Sequence, residues 1–276
     1  MKTIKDESTD SITKIAWEKN WDSISIDEIL EIFSYPRVKK QMEIFLKELP
    51  LNEPILEGGC GLAPYLIRLR QMGYDVRGID YNEAPIKKVL AYDPTLPVQT
   101  GDVTRIPYPD RSFGAYLSLG VLEHFTEGPH QAIREANRVL KPEGVFIVGV
   151  PRYHLFMFLT APIRFLKRNN FLRKLFHKPL DTHYWEQYFK KKELVAILSE
   201  ENFEVTDIIP LDHSHAVVSF SDFFRDKNRF DEANSLGLWL GNFCAKYLPW
   251  RTAAQMIFIC RKKSDKNDCW DVRINL

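Results

Sequence analysis

Cysteine is scarce in this 276-residue chain, and its four copies (Cys60, Cys244, Cys260 and Cys269) have neither metal-ligand nor disulfide-framework spacing. A small disulfide-stapled scaffold and a cysteine-built metal centre are thereby excluded, and a reducing cytoplasm is the expected setting. An excess of charge is missing too. With 38 Lys and Arg against 37 Asp and Glu, the formal net charge is +1, so nothing pulls the whole chain toward nucleic acid. No apolar run reaches the roughly 20 residues that span a bilayer, and the longest candidate, residues 155–163, runs into Arg164. The opening MKTIKDESTDS is polar and charged, unlike a secretory signal. Repeats and low-complexity stretches are also lacking. What is present is a composition 45% hydrophobic, enough for a substantial core, and a length that suits one enlarged α/β domain or one domain with an inserted cap.

The rest of the chain can be placed around residues 54–63, PILEGGCGLA. Ile55 and Leu56 read as a short buried strand closed by Glu57, and Gly58-Gly59-Cys60-Gly61 turns the chain sharply. Leu62, Leu66 and Leu69 then recur at helical spacing, with Pro64 tolerated in the first turn and Gly73 as the C-terminal stop. Strand, glycine turn and helix make a nucleotide-binding half-unit whose helix N-terminus is expected to offer free N–H groups. The acid decides which nucleotide. A carboxylate beside the turn would repel a pyrophosphate, whereas a cationic group would be welcome there. At this point the residues resemble the first motif of the class I S-adenosylmethionine (SAM) dependent methyltransferases: an acid, then Gly59, Gly61 and a small residue, here Ala63, at alternate positions. The resemblance implies that Glu57 faces the aminoacyl end of SAM, with Gly59, Cys60 and Gly61 around the cofactor.

The following stretches continue the pattern. Residues 74–80 read as a second strand with Asp80 at its carboxyl end, about 20 residues past the glycine turn, where an acid can grip both ribose hydroxyls. Tyr81 adjoins it, and Asn82 is a plausible N-cap for a helix over residues 83–91. A third strand, residues 97–100, ends in Gly101-Asp102-Val103. The resemblance implies that Asp102 accepts the adenine amine and that the Val103 N–H meets a ring nitrogen. The connection IPYPDRSF, residues 106–113, matches the family closely, except that Gly114 replaces the usual Asp and puts the start of the fourth strand in question. GVLEHF, residues 120–125, resembles the fourth-strand end of the group that includes quinone, sterol and natural-product methyltransferases. Leu119, Gly120 and His124 should border SAM or substrate; His124 reads either as a hydrogen-bonded wall residue or as a general base, and Glu123 as a brace for the next helix. RVLKPEGVFIVGVP, residues 138–151, resembles the family hairpin, with Glu143 in place of a glycine.

Helices ahead of the first strand are common in small-molecule methyltransferases, whereas beyond Pro151 the sequence leaves the shared pattern. Trp17, Trp21 and residues 26–49 suggest an N-terminal helical flap, residues 1–50, whose tryptophans either close over the cofactor or pack the helix on the domain. Residues 51–263 are expected to form the SAM-binding domain, with inserts at 152–182 and 211–250 and a mobile tail at 264–276. The first insert interleaves phenylalanines with Arg164, Lys167, Arg168, Arg173, Lys174 and Lys178 and has no acid over residues 152–180. It reads as a cap helix with a solvated basic face or as a peripheral membrane contact. His183 is a second candidate base. Asp212, His213 and His215 lack a third partner at ligand spacing, so no metal is expected.

The expected fold is α/β: a Rossmann-like three-layer sandwich with a seven-stranded, mostly parallel sheet in the order 3-2-1-4-5-7-6, its last strand antiparallel. The expected activity is methyl transfer from SAM to a small-molecule acceptor, with a hydrophobic or anionic one favoured by the basic-aromatic insert, and with no nucleic-acid partner. The lack of an Asn/Asp-Pro-Pro-Tyr/Phe stretch argues against methylation of the exocyclic amines of DNA bases. Two other readings stay open, an NAD(P)-dependent Rossmann oxidoreductase and a non-catalytic SAM-binding module.

Overall fold

A computed structural model describes residue 21 and residues 24–168, 186–229 and 232–264, with the side chains of residues 162–168 excepted. Trp17, His183, residues 1–11, the second half of the first insert and the tail beyond residue 264 lie outside the described residues. The centre of the molecule is β1 (Ile55–Gly58), four residues with no exposed position. A strand buried on both faces belongs in the middle of a parallel sheet. It pairs in parallel with β2 (Val76–Asp80) on one side and β4 (Phe113–Leu119) on the other. β3 (Val98–Thr100) and β5 (Leu140–Pro151) extend the parallel sheet outward. β6 (Phe203–Leu211) and β7 (Gln255–Lys262) complete it, β7 running antiparallel between β5 and β6. The order is 3-2-1-4-5-7-6, as the sequence leads one to expect.

Because side chains alternate across a strand, the sheet buries two separate cores. On one face, Ile55, Ala115, Leu117, Ile147 and Ile257 meet helices α1 (Ile26–Leu30), α2 (Pro36–Glu48) and α3 (Pro64–Gln71). On the other, Leu56, Tyr116, Phe146, Val148 and Phe258 meet α5 (His130–Val139) and α7 (Lys191–Glu200). Helix α4 (Glu83–Tyr92) covers the β3 edge and starts as expected on Asn82, whose Oδ1 accepts from Ala84 N–H at 3.0 Å. Ser25 and Glu28 close a reciprocal capping box at α1. The flap is part of the core: Phe45 is fully buried, and its ring and that of Phe33 flank Tyr65 on α3. Burying a phenylalanine this completely is worth about 1.5–3 kcal/mol.

The two departures from the family pattern have local explanations. A Cβ at Gly114 would stand 2.4 Å from Glu53 Cβ, so the space of the usual aspartate is filled by Glu53, which pairs with Lys141 on β5. The start of β4 is thus fixed by a different acid. Glu143 adopts φ = 60°, the left-handed conformation for which a glycine is the easier residue. Within the hairpin stretch β5 begins at once after α5, because Leu140 pairs with Phe113 before a register shift. The second insert, between β6 and β7, consists of α8 (His213–Phe220), α9 (Ser235–Tyr247) and α10 (Pro249–Thr252), and the first begins with α6 (Leu155–Arg168). No helix among the described residues is long and apolar enough to cross a membrane.

The connection between β3 and β4 is tied down by one side chain. Arg138 on α5 donates to the carbonyls of Ile106 (2.9 Å) and Tyr108 (2.8 Å), to Asp110 Oδ1 (2.8 Å), and through Nε and Nη2 to both oxygens of Glu135 (2.8 Å each). Glu135 in turn accepts from Ile106 N–H. Arg138→Met would leave the carbonyls and Glu135 short of partners. The expected loss is about 2–4 kcal/mol of unfolding free energy, read as a lower urea midpoint with unchanged slope; a midpoint within error of the parent would show that the network contributes nothing.

Candidate active site

The carboxyl ends of β1 to β5 converge on one edge of the sheet, and the turn after β1 lies at its middle. Gly59 (φ 72°) and Gly61 (φ 53°) hold left-handed conformations there, followed by Ala63 at φ 54°. The turn consumes its own donors. Gly59 and Cys60 N–H both reach Ile79 O (2.8 and 3.0 Å), Gly61 N–H reaches Asp80 Oδ2 (2.8 Å), and Ala63 N–H reaches Cys60 O (2.7 Å). One turn further on, Leu66 N–H donates to Glu57 Oε2 at 3.0 Å. Of the N–H groups expected to be free at this helix start, that of Leu66 is taken by Glu57, and in the turn before it that of Gly61 is taken by Asp80.

Both acids are buried, at 4% and 7% exposure for Glu57 and Asp80. Burial raises the Glu57 pKa to about 8 from its ordinary 4.5, the Leu66 hydrogen bond opposing the shift and Asp80 adding to it. Asp80 is also raised by burial, against the lowering effect of its bonds from Asn82 and Gly61. Its two oxygens accept one N–H each (Asn82 on Oδ1, Gly61 on Oδ2), which leaves further lone pairs for hydroxyl donors. Beside it, Asn82 Nδ2 is buried and has no hydrogen-bond partner. An unsatisfied donor next to a partly used carboxylate fits a ribose, which both accepts and donates.

The other sequence-predicted residues fall as follows. Cys60 turns its thiol inward: a Cβ at Gly78 would lie 2.9 Å from its Sγ, and burial raises its pKa well above the ordinary value. Only its backbone belongs to the turn's surface. Tyr81 is about half exposed just past Asp80. Asp102 is exposed and uses Oδ1 to accept from Thr104 N–H (2.7 Å) and Oγ1 (2.8 Å), an arrangement that holds the β3 exit in shape, while Val103 is buried against Ile106. Leu119 is half-buried, and Gly120 is exposed at φ 73°. His124 ends a short 3₁₀ turn (Leu122–His124) and is partly buried. His213 bonds Thr252 Oγ1 at 3.0 Å, and burial lowers its pKa. Asp212 faces Arg37 at 3.6 Å, so these two have structural partners of their own.

Trp21 does two things at once. A Cβ at Gly61 would touch its indole at 3.0 Å, so the ring lies on the turn; its carbonyl is gripped by Lys88 Nζ at 2.6 Å, which also holds Ile24 O at 2.7 Å.

Sequence reasoning missed three side chains. Glu123 does not brace the next helix, which starts without a side-chain cap at Pro129. It is 3% exposed, its Oε2 has no partner, burial raises its pKa to about 8, and its Oε1 lies 3.7 Å from where a Cβ at Gly120 would be. Arg152, directly after β5, has a buried Nη1 with no acceptor, lies over Trp250 at 5.4 Å, and has its pKa lowered by burial. Gln255, opposite Pro151 at the start of β7, has a buried Oε1 without a partner; its Nε2 lies 3.2 Å, and Leu119 Cδ2 3.0 Å, from a Cβ position at Gly149. All three border the carboxyl ends of β4 and β5. No spacing rule picks them out, because the missing partner is visible only in three dimensions.

A Rossmann-like sheet with an acid-filled glycine turn defines a nucleoside-binding α/β protein with no prepared phosphate site. Residues 56–148 match the family model described as "Methyltransferase domain", and this part of the chain is similar to the SAM-dependent methyltransferases, whose cofactor is S-adenosylmethionine. A "probable S-adenosylmethionine-dependent methyltransferase" of Mycolicibacterium smegmatis is 30% identical over 159 residues, 58% of this chain and 55% of that protein. The ubiquinone biosynthesis O-methyltransferase of Pseudomonas aeruginosa is 28% identical over 172 residues, 59% and 69% of the two chains. A SAM-dependent methyltransferase structure from Methanosarcina mazei shares the fold with a TM-score of 0.57 at 17% identity, over 80% of this chain and 98% of that one. The chain spans about half, or less, of the length of the first curated relatives it matches.

The raised acids set a pH dependence. Below pH 4.5 Glu57 is protonated both folded and unfolded. Above it the unfolded chain releases the proton while the folded one keeps it to about pH 8, and Glu123 behaves alike. The folded state then binds more protons, so stability falls as pH rises from about 5 to 8, by up to about 1.4 kcal/mol per pH unit for each group. Urea unfolding across this range is expected to show that decline, and Glu57→Gln and Glu123→Gln each to remove one proton's share of the slope. A profile that is flat or rises with pH would contradict it.

Proposed function

We propose that the chain moves the methyl group of SAM to a small-molecule acceptor that carries an anionic group. The observation behind the cofactor half is the acid-filled turn: a dinucleotide's pyrophosphate would meet two buried acids that already hold the Gly61 and Leu66 N–H groups, whereas an ammonium-bearing nucleoside gains from both acids. An NAD(P)-dependent oxidoreductase is disfavoured on the same ground. Glu57 is assigned to the aminoacyl end, with the backbone of Gly59, Cys60 and Gly61 around it; Asp80 and Tyr81 to the ribose; Asp102 and Val103 to the adenine; Leu119 and Gly120 to the border with the acceptor.

When bound, SAM supplies a methyl carbon that is already electrophilic. The protein's remaining task is alignment of the acceptor and exclusion of water, with a proton acceptor only where the nucleophile must lose a proton. His124, half-buried at the end of β4, is the described residue assigned to that role; His183, the other candidate, lies outside the described residues. Arg152 supports the acceptor half. A guanidinium nitrogen buried without an acceptor is costly, and a carboxylate or phosphate on the substrate would satisfy it.

Labelled SAM incubated with fractionated small-molecule and RNA extracts checks the assignment. Label is expected in an acidic small-molecule fraction; label confined to RNA, or in no fraction, would refute the acceptor class. With that acceptor, Arg152→Gln is expected to raise KM roughly 10–100-fold and leave SAM affinity unchanged, while Asp80→Ala weakens SAM by at least about tenfold. An Arg152→Gln variant with the parent KM would remove the anion assignment.

A further inference from the structure

Helix α9 is built inside out. Its buried positions are Gly237, Gly241 and Cys244, and the fit is tight: a Cβ at Gly241 would lie 2.8 Å from Ser214 Cα on α8, and one at Gly237 would lie 2.7 Å from Phe224 O. A surface helix ordinarily turns its large apolar residues inward. Here they point out. Leu236, Trp239, Phe243 and Tyr247 recur every three or four residues along one stripe and are 48%, 63%, 47% and 58% exposed. Trp239 stacks on Phe243 (centroids 6.1 Å apart, planes at 24°), and Phe243 meets Tyr247 at 4.7 Å, so the rings form a continuous outward ridge.

Further large apolar residues are exposed on the elements around α8. Phe223 follows α8 at 70% exposure, and α6 exposes Phe158 (66%) and Leu159 (52%). The elements are joined through α8, whose Phe220 meets Phe156 of α6 at 5.6 Å. Exposed apolar surface on this scale marks a docking face.

Charge selects the occupant. Helices α6, α8 and α9 contain no Asp or Glu, whereas α6 includes Arg164, Lys167 and Arg168, and the exposed Asp222 of the turn after α8 is paired with Arg225 at 3.1 Å. On α9 the only charge is Lys246, whose Nζ lies 5.1 Å from the Tyr247 ring at the end of the stripe. A second copy of this chain would bring cations to cations. An anionic lipid surface supplies the missing charge, and Trp and Tyr beside a lysine that can extend toward headgroups are the residues that settle at a membrane interface. We propose that the aromatic stripe of α9, with the exposed apolar residues of α6 and the turn after α8, docks peripherally on an anionic phospholipid bilayer. This goes beyond the methyltransferase reading and does not depend on it.

Flotation of the full chain with phosphatidylglycerol/phosphatidylcholine vesicles and with pure phosphatidylcholine vesicles, at low and high salt, provides the test. The protein is expected to float with the anionic vesicles at low salt and to be released at high salt. Combining Trp239→Ser, Phe243→Ser and Tyr247→Ser, all at exposed positions, should lower the bound fraction constant about tenfold while circular dichroism and Tm stay at the parent values. The single change Lys246→Glu, which removes no apolar area, should weaken binding severalfold on anionic vesicles alone. The proposal is overturned by absence of the parent protein from the anionic lipid layer at low salt, or by a triple variant that floats as well as the parent. It is equally overturned if light scattering shows a dimer that the triple variant breaks while no lipid is bound.

Discussion

A glycine turn can present its N–H groups to a ligand or spend them on its own framework, and here they are spent. Gly59, Cys60 and Gly61 donate to β2 and to Asp80, and the first turn of α3 is capped across the strand by Glu57. Everything about the site follows from this. The turn is held by the bonds of its Gly59, Cys60, Gly61 and Ala63 N–H groups, and electronegative because two of the groups that fill it are carboxyls. It is also closed on one side, because Trp21 lies against Gly61. The same short strand that is buried on both faces, and so must sit mid-sheet, places those carboxyls at the crevice edge.

The site thus divides into a half held by backbone and a half held by side chains. On the β1–β3 side the geometry is dictated by hydrogen bonds between consecutive strands, and little can change without disturbing the sheet. On the β4–β5 side stand Glu123, Arg152 and Gln255, each with a buried polar atom that no described residue satisfies. Unsatisfied buried polar atoms cost stability unless something completes them. Their position beyond the expected cofactor half is where acceptor recognition would draw on them. The second insert leads from β6 into β7, so acceptor-side Gln255 and the outward-facing aromatic helix α9 arise from neighbouring parts of the chain.

The fold was legible in the sequence because its signals are local. The period-2 and uninterrupted apolar runs, the proline in the first turn of α3, the Asn82 cap and the order of acids at strand ends all survive in three dimensions. The position of Asp80 could be read from spacing, and those of Asp102 and Gly120 from the family resemblance. What could not be read depends on long-range contact. Glu57 looks like a ligand residue in the sequence and is also the cap of a helix nine residues away. The glycine at 114 looked like a defect until Glu53 was seen in its space. Trp21 packs and covers at once, so the two readings of the flap were not exclusive. The reversed amphipathicity of α9 was hidden because small and aromatic residues both count as apolar, and only the packing against Ser214 shows which face is inside.

If the acids of the turn meet a positive charge on the ligand, proton counting registers it directly. Glu57 keeps its proton to about pH 8 in the protein alone. A cationic nucleoside beside it should drive that proton off. Calorimetric titration with SAM at pH 7, in two buffers of different ionisation enthalpy, is predicted to show binding with release of close to one proton, and Glu57→Gln to show no release. Binding of SAM without proton release, or preferential binding of NAD⁺, would contradict the account.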